Sequence, residues 1–177
     1  RWGCMIADNE AVHVTKSTFK EVLARDGVLV YRTRGVSMEP MLRQGRDLVT
    51  IRAAKPGERF HENDVVLYCQ AVGRYVLHRI VGVGPAGYVI LGDNCVAYER
   101  DVPFEDVLGI LVSFVRDGKM YSVDDPDYLA YVSKLRRGER CRIARRRVSM
   151  RAKRTLKRAF PRLSRRWNQR KRGRGRS

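Results

Sequence analysis

Residues 134–177 carry 21 Lys and Arg against one acid, Glu139, and that run confines any hydrophobic core to the residues before it. Charges at this density are too costly to desolvate unpaired. The preceding residues hold 16 basic and 18 acidic side chains, a near-neutral composition suited to a globular body. The formal net charge of +18 therefore describes an appendage rather than the body. A length of 177 residues fits one domain plus such an arm.

Within the body, hydrophobic patterning is mainly that of strands. Residues 28–31, 48–51, 65–69, 74–81, 88–91 and 107–115 are short runs rich in β-branched side chains. Asp117-Gly118 is a favoured two-residue hairpin turn, and Val72-Gly73 marks another ahead of the 74–81 run. Before the first strand, Phe19, Val22 and Leu23 recur at helical spacing over 16–25. After the last, Asp125-Pro126 is a helix start, and Tyr128, Leu129, Val132 and Leu135 form a stripe that Gly138 ends. The expected organisation is an N-terminal helical extension (1–27), a β-rich domain (28–124), a helix (125–138) and a basic amphipathic to disordered tail (139–177).

Three segments of the body carry chemistry. Ser37 follows Gly35 and precedes Pro40, so it falls in a turn that can present a hydroxyl to a groove. A serine attacks near neutral pH only when a neighbour removes its proton. His78, on one strand face with Val76 and Ile80, has an ordinary pKa of about 6.5 that suits that task. An isolated histidine on such a face is most simply a core residue, but Gly92-Asp93-Asn94, Glu99 and Asp101 downstream supply carboxylates that could orient its ring. Asp93 and Glu99 are the leading candidates, with Asp101 behind them. Asp93 could instead serve the turn that Gly-Asp-Asn makes at a strand end.

Ser37-Met38-Glu39-Pro40, Leu77-His78-Arg79-Ile80 and Gly92-Asp93-Asn94, in that order, resemble the three boxes of the type I signal peptidase and LexA-like serine peptidases. The second box is similar to that of the archaeal and endoplasmic-reticulum enzymes, in which histidine replaces a lysine base. The resemblance covers residues 28–115 and implies a coiled antiparallel β-sheet peptidase body. It implies Ser37 as nucleophile, His78 as base and Asp93 or Glu99 as the orienting acid, with Glu99 standing where Asp is usual. Gly35, Val36, Met38 and Pro40 then contact substrate or oxyanion. Gly35 replaces the serine hydroxyl that many signal peptidases carry two residues before the nucleophile, as in the LexA-like branch, which leaves the backbone N–H of Ser37 as donor. The implied function is a serine endopeptidase acting on signal or leader peptides. A LexA-like self-cleaving or partner-cleaving regulator, and a non-catalytic binding module, are the alternatives.

In the tail, Val148, Ala152, Leu156, Ala159, Leu163 and Trp167 recur every three or four residues on a basic background, with Pro161 interrupting. That pattern suits an anionic membrane surface more than nucleic acid, whose backbone needs charge alone. No segment supplies the roughly 20 apolar residues of a membrane span, so the expected location is peripheral to a membrane or cytoplasmic. Cys4, Cys69, Cys95 and Cys141 lack paired metal-ligand spacing, and His13 and His61 lack partners, so neither metal nor cofactor is expected. Cys69 reads as a small buried hydrophobe, and Cys95 stands close enough to Asp93 to be a reactive thiol beside the site.

Overall fold

The computed structural model describes residues 18–70 and 73–159. Of the sequence-based expectations, Lys16, Cys4, His13, Val72 and the tail beyond Ala159, with Pro161, Leu163 and Trp167, lie outside those residues.

Helix α1 (Phe19–Asp26) begins at a capping box. The Thr18 hydroxyl accepts from Glu21 N–H, and the Glu21 carboxylate accepts from Thr18 N–H. Gly27, at φ +71°, ends the helix in the left-handed conformation that glycine adopts without penalty. The six expected strands are present as β1 (Val28–Arg32), β2 (Leu48–Ala53), β3 (Val65–Gln70), β4 (Arg74–Val83), β5 (Tyr88–Leu91) and β7 (Val107–Arg116). Asp117-Gly118 turns β7 into β8 (Lys119–Ser122).

β6 (Glu99–Val102) was not expected. Its sequence, Glu-Arg-Asp-Val, offers a single apolar residue, and it pairs only with β5, as an edge strand. Polar residues are the usual protection of such an edge. That strand places Glu99.

All pairings are antiparallel, in the order β1-β2-β7-β3-β4-β5-β6, with β8 on β7. Both faces of β3 and β4 are covered. Leu67 and Leu77 face a core shared with Leu29, Ile51, Leu111 and Tyr128. Val66, Tyr68 and Ile80 face a second core with Tyr88, Ile90 and Val107. Two-sided burial explains why Val65-Val66-Leu67-Tyr68 is a continuous apolar run.

Helix α2 (Pro126–Arg137) has Asp125 at its N-cap and Pro126 at its first position. Tyr128 and Val132 are buried, whereas Leu129 of the expected stripe faces outward. Gly138 separates α2 from α3 (Glu139–Ala159), so the described part of the basic arm is helical, as its three-to-four-residue periodicity suggests. Among the described residues no helix is long and apolar enough to cross a membrane.

Candidate active site

Ser37 occupies the turn between β1 and β2, on a loop fixed at several points. Met38, Met41 and Leu42 are buried in the core. The Pro40 carbonyl accepts from Arg116 Nη2 at 3.0 Å. Asn94 holds the other side: its backbone N–H donates to the Ser37 carbonyl at 2.7 Å, and its Nδ2 donates to the Val36 carbonyl at 2.7 Å. The Gly-Asp-Asn segment is thus a clamp on the serine turn. Gly35, at φ +87°, needs the conformational freedom of glycine. Val36 is exposed. Among the described residues, neither the Ser37 hydroxyl nor its backbone N–H is engaged in a hydrogen bond.

His78 stands opposite on β4, its side chain nearly buried. Its Nδ1 lies 3.5 Å from Glu99 Oε1 and 3.5 Å from the Tyr68 hydroxyl. Nε2 points the other way. A Cβ placed on Gly92 would sit 2.9 Å from Nε2, 2.8 Å from the Ser37 carbonyl oxygen and 2.8 Å from Cys95 Sγ. Imidazole, serine loop and thiol therefore converge over a position that only glycine leaves open. Replacing Gly92 by Ala forces the Ser37 backbone or the imidazole to move. A hydrolytic use of this serine and imidazole predicts that turnover by the Gly92→Ala variant falls about 100-fold or more, as for a misplacement near 1 Å, read by steady-state assay.

Of the two leading carboxylates, the one facing the ring is Glu99. Gln70 Nε2 donates to its Oε2 at 2.6 Å, and Arg74 donates to Gln70 Oε1 through Nε at 3.0 Å and Nη2 at 2.7 Å. Burial and the Glu99 carboxylate raise the Tyr68 pKa, keeping that phenol protonated beside the ring. Tyr68, Gln70 and Arg74 were not singled out from sequence. The signal that could have found them is strand periodicity: Val66 pairs with His78, Tyr68 with Val76 and Gln70 with Arg74, all on one face.

Asp93 makes a different set of contacts and does not provide the carboxylate at the ring. Its oxygens accept from Arg79 Nε at 2.9 Å and Nη2 at 2.8 Å, and from the Tyr131 hydroxyl at 3.1 Å. Both partners of this ion pair have side chains only 1% exposed. Arg79 also donates to the Asn63 carbonyl and the Tyr128 hydroxyl. The network ties α2 to β4 and to the loop that clamps Ser37. Asp101 is exposed on β6 with φ +54°, and among the described residues it makes no hydrogen bond or ion pair to His78.

Electrostatics suit His78 to accept a proton. Burial, the largest influence, holds its pKa below the ordinary 6.5, while Glu99 is the largest of the opposing ones. The ring is neutral at neutral pH. With His78 as general base, kcat/KM should rise with pH through a midpoint below 6.5 and stay level above it. In Glu99→Gln the raising influence is gone, so that midpoint should move further to acid. The plateau should drop on the order of 1000-fold as tautomer and imidazolium lose their support. A pH–rate series on both proteins checks the two shifts together.

A groove of about 1490 Å³ runs past Ser37, His78 and Glu99. Gly35, Met38, Leu42 and Leu77 line it, as does Phe19, which stacks on Tyr75 and tilts against Tyr31. Cys95 also lines it, but burial pushes that thiol's pKa up, contrary to the reactive thiol expected. Cys69 is half-buried. Among the described residues no group of three His, Cys, Asp or Glu side chains could hold a metal ion. Comparison of the sequence with protein-family models and with curated proteins finds no match.

Proposed function

We propose that the protein is a serine endopeptidase of signal-peptidase type, with Ser37 as nucleophile, His78 as general base and Glu99 as the orienting acid. The observation that carries the reading is the opposed use of the imidazole: Nδ1 meets Glu99, and Nε2 faces the turn that bears Ser37. A carboxylate at one ring nitrogen and a serine turn on the side of the other fits what general-base catalysis of acyl transfer requires. The architecture proposed for the body is that of the signal peptidase and LexA-like enzymes.

In the proposed reaction a peptide lies extended in the groove beside Ser37. His78 Nε2 takes the Ser37 proton as Oγ attacks the scissile carbonyl carbon. Glu99 supports the imidazolium so formed. The N–H of Ser37 donates to the developing oxyanion, with Gly35 allowing close approach of the backbone. His78 then gives its proton to the leaving amine, which leaves an acyl-enzyme. Water attacks that ester with His78 again as base, releasing the acid and restoring the Ser37 hydroxyl. Asp93 has a scaffolding part, through Arg79 and the adjoining Asn94 clamp. By analogy with the family, the substrates are signal or leader peptides with small residues beside the scissile bond.

The test is hydrolysis of such peptides by the purified protein, read by mass spectrometry of the products. Cleavage at one peptide bond is the expected result. A folded protein that leaves a broad peptide library intact contradicts the reading, and a fragment of the protein itself as sole product favours a self-cleaving regulator.

A further inference from the structure

Helix α3 carries ten Lys and Arg and one acid along 21 residues, yet its first turns are fastened to the body. Ile143 is buried, the Glu139 carboxylate accepts from the Tyr98 hydroxyl at 2.8 Å and pairs with Arg136, and Arg147 Nη2 donates to the Val96 carbonyl at 3.0 Å. Val96 lines the groove that runs past Ser37 and His78, so the arm springs from the groove's wall. At 3.6 residues per turn, Cys141, Val148 and Ala152 fall on the side opposite Ile143. All three are exposed, Val148 to 67%, while Met150 on the Ile143 side is 43% exposed. Arg145, also exposed, borders that stripe, and exposed Arg140, Arg147 and Arg151 stand on the flank between it and Ile143. The body covers the first turns of the helix; from Arg147 to Ala152 every side chain is exposed, and Val148 stands there among guanidinium groups.

We infer that this outward face of α3 docks on an anionic lipid surface and holds the groove beside it. The exposed guanidinium groups along these turns meet lipid phosphates, and each cation near such a surface strengthens binding about fivefold. Val148 enters the boundary between headgroups and acyl chains, where an apolar side chain gains and a charged one does not. A nucleic-acid backbone would draw on the same cations but would gain nothing from Val148, because such binding is carried by counterion release. The outward Val148 therefore favours lipid. The inference stands independently of the catalytic reading.

The experiment is co-sedimentation of the full chain with vesicles of phosphatidylcholine mixed with phosphatidylglycerol, and with phosphatidylcholine alone. Binding is expected to the mixed vesicles only, and to weaken as salt is raised. Val148→Asn is the discriminating variant, since Val and Asn have similar helix propensities and the site is exposed. It should lower partitioning roughly tenfold by removing an apolar side chain from the interface. Thermal melting followed by circular dichroism confirms that the variant is folded. Equal binding to both vesicle types overturns the inference. So does an unchanged partition for Val148→Asn, and so does a nucleic-acid duplex that displaces the protein from vesicles equally well in both proteins.

Discussion

Ser37→Ala should lower peptide hydrolysis by roughly 10⁴-fold or more, and His78→Ala should lower it almost as far. The double variant should be no worse than the poorer single one. Residues that act as one unit give such non-additive losses, because a serine without its base and a base without its serine fail at the same step. Neither change should unfold the body. Ser37 lies on a turn anchored by Met38, Met41, Leu42 and Asn94, and its own hydroxyl makes no hydrogen bond among the described residues. His78→Ala removes a ring whose contacts at Nδ1 are both 3.5 Å long, so it costs packing more than hydrogen bonding. Initial rates on one peptide across the four proteins decide the matter, with circular dichroism as the control for folding. Independent, multiplying losses would count against a shared proton-transfer step.

The second large effect is on stability. Asp93→Ala leaves the Arg79 guanidinium buried with its bidentate partner gone, and breaking a buried pair from one side costs about 3–5 kcal/mol. For a chain of this size that is a fall in melting temperature on the order of 10 °C. Arg79→Met should do similar damage by leaving the carboxylate unpaired. The double variant should recover a good part of the loss, since removing both charges removes the uncompensated desolvation. Thermal melts of the four proteins measure the coupling directly. Activity in these variants should fall as well, because Asp93 adjoins the Asn94 that holds the Val36 and Ser37 carbonyls. Two additive stability losses would mean that the pair does not act as a pair.

The strands were legible where burial forces a pattern. Val65-Val66-Leu67-Tyr68 and the 74–81 run have side chains in both cores, and β-branched and aromatic residues mark them whatever their neighbours. β6 was illegible because an edge strand makes little demand on its side chains: Ile90 pairs with Glu99 and Tyr88 with Val102, and among the described residues no other strand pairs with it. Missing β6 left Asp93 and Glu99 indistinguishable. Asp93 stands two residues beyond the end of β5 and turns toward Arg79, whereas Glu99 returns alongside β5 and meets the ring. Linear spacing from His78 cannot separate these, since the pairing partner of each is set by the turn between them. The role of Asn94 was hidden for the same reason, because its acceptors are backbone carbonyls that carry no signature in the sequence. Among the described residues of the arm, the helix follows from residues 139–159 having no Pro or Gly and many good helix formers, which outweighs the repulsion expected of its charge.

The most direct measurement is covalent capture. The protein is incubated with a serine-reactive acylating probe, and the site of the adduct is mapped by tandem mass spectrometry. A Ser37–His78 mechanism predicts one acyl group per chain on Ser37 Oγ, formed far more slowly in His78→Ala and absent from Ser37→Ala. An adduct spread over other hydroxyls, or formed on Ser37 at the same rate without His78, would contradict it.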